Sequence, residues 1–346
     1  MDNPRQTVAT ISGFWDSQRN TTRTNFPELL KNGGESVISG IPTWSTIYIT
    51  TPDGKHTYAP GVPHEQVESF KQSLSIRNGV LTTRVKWTPT KDGISYDLKF
   101  TLLAHRSRIN LGMLKLEITP SEGGNVIVTD ILDGAGAQRT DFSEKSFEDK
   151  DNMIWTAVSP IGVPNVTAYE FSTVDFPFES RQGLVIEGSR KNANYRPYVS
   201  TNRSTISQEW QVETSKQQTI AIVKYVGIAS TDAFPHTKRT AQQAALDARA
   251  CGWDALVKEH NEAWDELWDD GDIIIHGDEQ MQIAVRASLF HLLANIRGGS
   301  EGRGLGDNSM SVGGLASDSY AGFVFWDADC MFYLQFFRPT HTDTRF

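Results

Sequence analysis

The sequence predicts a large antiparallel β-sandwich followed by helices. From about residue 35 to 230, short alternating runs are punctuated by turn formers, the pattern of strands with one face in a core. The texture then changes at Asp232-Ala233-Phe234-Pro235 to strong helix formers and helical periodicity. At 346 residues the chain has room for two or three domains with sizeable cores.

The strand signals can be taken in order. Residues 45–50 form a β-branched and aromatic run that stops at Pro52-Asp53-Gly54, and residues 80–87 form another that stops before Lys91-Asp92-Gly93. Residues 96–103, 111–119, 125–131, 205–212 and 219–225 continue the series. Strands at this spacing, joined by Asp-Gly turns, point to an antiparallel sandwich rather than a parallel α/β sheet. Asp130, Asp133 and Arg139 surround the small-residue segment Gly134-Ala135-Gly136-Ala137, which reads as a turn after a strand.

Residues 240–250 carry alanine, glutamine and leucine at a density that predicts a helix. In the next segment Trp253, Leu256, Val257, His260, Trp264, Leu267 and Trp268 recur at helical spacing, so the tryptophans are expected to pack on another element. The acidic residues Asp254, Glu259, Glu262, Asp265, Glu266, Asp269 and Asp270 fall mostly between them and predict a solvated face. A third helix is expected after Ile273-Ile274-Ile275, with Met281, Ala284, Val285, Leu289, Leu292, Leu293 and Ile296 facing a core and Arg297-Gly298-Gly299 ending it. The expected divisions are therefore 1–235 for the sandwich, 236–272 for a helical linker and 273–346 for a further helical unit.

Charge narrows the partners. The 33 basic and 42 acidic residues give a net charge of −9, which repels nucleic acid and anionic membranes and favours a neutral ligand. Cys251 and Cys330 lie far apart without metal spacing, so no metal, cofactor or disulfide framework is expected. His260, His276 and His291 likewise lack ligand spacing and read as structural. No signal peptide is visible at Met1-Asp2-Asn3-Pro4-Arg5-Gln6, and no run of apolar residues is long enough for a membrane span. Asn20, Asn165 and Asn202 each open an Asn-x-Ser/Thr glycosylation pattern.

The candidate functional residues lie near the end, in the segment 318–329. Phe325, Trp326 and Asp327 follow a glycine-rich loop, 298–306, which reads as a mobile border to a pocket. Within that loop Gly298-Gly299-Ser300-Glu301-Gly302 matches a nucleophile elbow in letters but lacks the preceding strand and following helix. Aromatic faces beside a carboxylate suit a sugar: rings stack on the C–H face of a pyranose while the carboxylate accepts hydroxyl hydrogen bonds.

The run Gly322-Phe323-Val324-Phe325-Trp326-Asp327 resembles the signature of glycoside hydrolase family 65, and Ser317 to Asp329 most resembles its trehalase branch. Ala328 and Asp329 stand where the phosphorylases of that family carry threonine and glutamate. The resemblance extends to Trp264-Asp265-Glu266-Leu267-Trp268, to the 284–290 helix segment, and to Gly33-Gly34-Glu35-Ser36 and Gly40-Ile41-Pro42-Thr43-Trp44. It implies that 273–346 begins a truncated (α/α)6 catalytic barrel. Trp326 and Asp327 would line the pocket of the non-reducing-end glucose, with Phe325 beside them. The implied reaction is hydrolysis of α,α-trehalose, or a related α-glucoside, with inversion and without a cofactor. Inversion needs a proton donor and a water-activating carboxylate on opposite faces of the sugar. In the family the general acid is a glutamate of a later barrel segment, expected beyond Phe346, so the chain reads as an inactive fragment. The resemblance further implies an extracellular or vacuolar setting. The alternative is a non-catalytic carbohydrate-binding or scaffolding protein built on the sandwich.

Overall fold

The computed structural model describes residues 9–17, 36–177, 186–189 and 199–296, the backbone alone for 186–189. Its strands are β1 (Ala9–Trp15), β2 (Ile38–Ile41), β3 (Ile47–Thr50), β4 (Thr57–Tyr58), β5 (Val67–Ser75), β6 (Val80–Trp87), β7 (Tyr96–Ala104) and β8 (Leu111–Pro120), then β9 (Gly124–Leu132), β10 (Thr140–Glu148), β11 (Met153–Pro160), β12 (Ala168–Asp175), β13 (Ile186–Ser189), β14 (Ile206–Thr214) and β15 (Ile220–Ser230). Among the described residues three helices follow: α1 (Thr237–Cys251), α2 (Trp253–Gly271) and α3 (Glu279–Leu293).

Two antiparallel sheets form the sandwich. The larger has eight strands in the order β10-β11-β12-β15-β8-β7-β6-β5; the smaller has five, β13-β14-β9-β3-β4. Strands β1 and β2 pair separately. Register explains the core. Leu98 lies opposite Val85 and Ile118, and Trp87 lies opposite Tyr96, so alternate residues of neighbouring strands share one face. That face meets Ile49, Val126, Val128 and Val212 of the smaller sheet. Fully buried side chains such as Trp87 and Leu98 each stabilise the fold by roughly 1.5–3 kcal/mol.

The outer face of the large sheet carries α1. Ala241 and Ala245 are buried against Trp155 and Phe171, and Ala248 lies in a cluster with Tyr225 and Leu256 of α2. The approach is close because Gly227 of β15 has no side chain. A Cβ there would stand 1.8 Å from the carbonyl oxygen of Ala241. The turn between β5 and β6 relies on glycine differently: Gly79 has a φ of +66° and sits beneath the rings of Phe290 and Trp264.

The sandwich is as expected, and several strands match their sequence signals to within a few residues. The run 45–50 begins as a strand only at Ile47, and β5, β10, β11 and β12 carry no strand signal in the reading above. Strand β5 hides because it is exposed along nearly its whole length, with Phe70 61% and Leu74 45% exposed at the sheet edge. Helix α3 departs from its predicted burial. Leu289 and Phe290 are buried, Phe290 against Trp264, whereas Met281 and Ala284 of the predicted core stripe are exposed, Met281 by 52%. Among the described residues, α3 is anchored through its C-terminal half. The glycine-rich loop, Phe325, Trp326, Asp327 and Asn20 lie outside the described residues.

Candidate functional site

A cleft of about 560 Å³ opens where the β5–β6 turn, α2 and α3 converge, lined among others by Arg77, Asp265, Trp268, Asp269, Asp272 and Arg286. Trp268 stacks on Trp264 with ring centroids 6.5 Å apart, and its indole N–H donates to the carbonyl of Arg77 at 2.6 Å. The Arg77 guanidinium donates to Asp265 at 2.8 and 3.0 Å, and that of Arg286 to Asp272 at 2.5 and 3.1 Å. Arg286 holds the Asp272 carboxyl below its ordinary range, which makes Asp272 an acceptor and not an acid catalyst. An indole wall rimmed by paired charges can hold a polar ligand, but these groups largely satisfy one another. The acidic face of α2 is thus solvated at Asp254, Glu262, Glu266, Asp269 and Asp270, while Asp265 and Glu259 serve as ties to Arg77 and Arg108.

His105 and His260 fasten α2 to the sandwich. His260 accepts from the backbone N–H of Arg106 at Nδ1 (3.0 Å), and Nε2 faces the carbonyl of Asn78 at 2.6 Å. His105 repeats the arrangement: Nδ1 accepts from the N–H of Arg108 at 3.1 Å, and Nε2 lies 2.9 Å from the carbonyl of Leu256. A ring that accepts at Nδ1 and donates at Nε2 is neutral. The expectation of a structural role for His260 is met.

Between the sheets lies a polar centre. Lys224 of β15 is fully buried and donates to Asp130 Oδ1 at 2.9 Å, the carbonyl of Ile131 at 2.6 Å and that of Thr46 at 3.0 Å. Asp130 also accepts from Ser172 Oγ at 2.9 Å and Gln208 Nε2 at 3.0 Å. Glu170 of β12 is 1% exposed, and neither of its carboxyl oxygens has a hydrogen-bonding partner among the described residues. Burial pushes its carboxyl well above the ordinary value, against a smaller pull from Lys224. It is sealed in the core and cannot meet a sugar. The turn at Gly134 forms as expected: Asp133 Oδ1 accepts from the N–H of Ala135 at 2.9 Å and Oδ2 from Tyr48 at 3.2 Å. Asp130, grouped with that turn in the sequence, belongs to the core instead. Lys224 was legible only as a charge inside the predicted 219–225 strand, and Glu170, in a strand without a sequence signal, was not singled out.

Asn165 and Asn202 are exposed. Asn202 Oδ1 accepts from the N–H and the hydroxyl of Ser204 at 2.9 and 2.8 Å. Among the described residues no group of three or more His, Cys, Asp or Glu side chains could hold a metal ion, and no helix is long and apolar enough to cross a membrane.

A sandwich of this order with helices at its C-terminal end is the architecture of the N-terminal part of family 65 hydrolases. The family model described as "Glycosyl hydrolase family 65, N-terminal domain" matches residues 1–267, and the chain belongs to that family. Its curated relatives include an acid trehalase of Emericella nidulans, 37% identical, and a cell wall acid trehalase of Arthroderma benhamiae, 36% identical. Both alignments cover 94% of this chain and 32% of the relative, so the chain spans about a third of the length of the relatives it matches. A solved structure described as a candidate kojibiose phosphorylase from the human microbiome shares the fold, with a TM-score of 0.72 and 15% identity over 92% of this chain and 39% of that one.

Proposed function

We propose that this chain is the sandwich-and-linker portion of an acid trehalase-type hydrolase, one that cleaves α,α-trehalose to glucose with inversion. The observation that carries this is the 37% identity to an acid trehalase across 94% of the chain. In this reading 1–235 is the sandwich, 236–272 the linker and 273–346 the opening of an (α/α)6 barrel. Phe325 and Trp326 wall the glucose site, and Asp327 accepts its hydroxyls. The substrate is trehalose or a related α-glucoside, with no role for nucleic acid or membrane. The name of the cell wall relative favours an extracellular setting over a vacuolar one. Asn20, Asn165 and Asn202 are then the places for N-linked glycans.

None of the 346 residues matches the family's general acid, so the chain by itself should release no glucose from trehalose. The test is a fusion of this chain to the part of the Emericella nidulans relative that continues past the aligned region. Glucose release by the fusion, lost on Asp327→Asn with its melting temperature kept, supports the reading. An inactive, folded fusion favours a carbohydrate-binding or scaffolding role. Turnover by the 346-residue chain alone would overturn the missing-acid premise.

A further inference from the structure

We propose that Glu170 sits in the folded core as the neutral carboxylic acid, so that this one group contributes its full stability to the sandwich in acidic surroundings and less as pH rises. The inference concerns the sandwich itself and holds whatever its catalytic role.

Donor counting is the main support. An ammonium has three N–H bonds, and those of Lys224 meet three acceptors: Asp130, the Ile131 carbonyl and the Thr46 carbonyl. None is left for Glu170. Lys224 and Asp130 already cancel in charge, and Asp130 is further satisfied by Ser172 and Gln208. An ionised Glu170 would be an unpaired anion without a hydrogen-bond donor, fully inside a β-sandwich, a far larger penalty than holding a proton.

The surroundings agree. Directly across the β11–β12 ladder stands Thr156, whose hydroxyl is also buried without a partner among the described residues. Across the β12–β15 ladder stands Ile228. From β9 the charged neighbour is Asp130, and from the turn after it Asp133, already engaged by Tyr48 and Ala135. From β14 comes the neutral amide of Gln208. Lys224 is the cation that acts on Glu170, and it is committed; Lys145 of β10, across the β10–β11 ladder from Thr156, donates to the carbonyl of Thr205 at 2.7 Å.

The sign follows from linkage. In the unfolded chain a glutamate releases its proton at about pH 4.3, whereas the folded protein holds it well above that value. Stability from this group is therefore complete below the unfolded value and falls as pH rises past it.

Glu170→Gln, which copies the shape of the neutral acid, tests the proposal in the full 346-residue chain. Melting temperatures of variant and wild type should agree near pH 4.5. The variant should gain an advantage that widens towards pH 7.5, to on the order of 5 °C. A gap that does not change with pH, or a wild type more stable at pH 7.5, overturns the proposal. Should the variant fail to fold, infrared spectroscopy of the wild type at pH 7.5 decides. A protonated carboxylic acid band that vanishes on unfolding supports it, and a folded protein lacking that band refutes it.

Discussion

The imidazoles of His105 and His260 meet edge to face, with ring centroids 5.4 Å apart and planes inclined by 67°. Each has both nitrogens committed, one to the N–H of an arginine in the β7–β8 turn and the other to a backbone carbonyl. The pair is a two-ring fastener between the sandwich and α2, and it works only while neutral.

Acid should loosen that fastener. Burial pushes His260 down to about 4, and the neighbouring His105 and Arg106 add to the shift. A lowered histidine contributes stability that is present above its unfolded value, ~6.5, and is lost as pH falls through the folded one. NMR titration of the imidazoles should show His260 uncharged at pH 5. His260→Gln should be less stable than wild type at pH 7 and lose less on acidification to pH 4. An ordinary titration near 6.5 would contradict the assigned tautomer.

Gly227 should not tolerate a methyl group. The added Cβ would overlap the α1 backbone at the Ala241 carbonyl, which cannot swing aside as a side chain can. Gly227→Ala should cost at least ~2 kcal/mol in urea unfolding, in the range of core overpacking. Proteolysis should then release α1 and α2 early. A variant of unchanged midpoint would mean that the helix sits further from β15.

Breaking the Lys224–Asp130 pair from one side should be worse than removing it. Lys224→Met leaves a buried anion and should destabilise by roughly 3–5 kcal/mol. Adding Asp130→Asn should recover much of that loss. Equal and additive losses in a double-mutant cycle would indicate that the pair is not coupled.

Expression through a secretory host tests the sequons. Asn165 and Asn202 should both carry glycans by mass spectrometry, since the Asn202 Oδ1 bonds to Ser204 leave its Nδ2 for the sugar. Asn202→Gln should remove one glycan and leave the fold intact. An unmodified Asn165 on an exposed turn would argue against passage through that route.

The sandwich was readable because alternation and Asp-Gly turns are local signals, and β6 and β7 lie where those signals put them. Strands β11 and β12 were not readable in that way. Covered on both faces, β11 is buried throughout and shows no alternation. The sequence of α3 has an apolar stripe, yet its members Met281 and Ala284 are exposed, because a periodic pattern identifies a helix without saying what covers it. The polar centre escaped notice since pairing between Lys224 and Asp130 depends on two strands 94 positions apart, Lys224 minus Asp130, in facing sheets.

Strand order also governs how the chain can be synthesised and folded. Strand β15 lies between β12 and β8, yet it is the last strand of the sandwich in the sequence. Until residue 230 leaves the ribosome, β5 to β8 and β10 to β12 are two separate meanders. Each ends on a largely buried strand, β8 or β12, whose backbone groups still lack the partner they will have in the native sheet. The closing strand brings both the central hydrogen bonds and the Lys224 ammonium that neutralises Asp130. A nascent chain arrested before β15 should therefore be the form most prone to sticking to its neighbours and most in need of a chaperone.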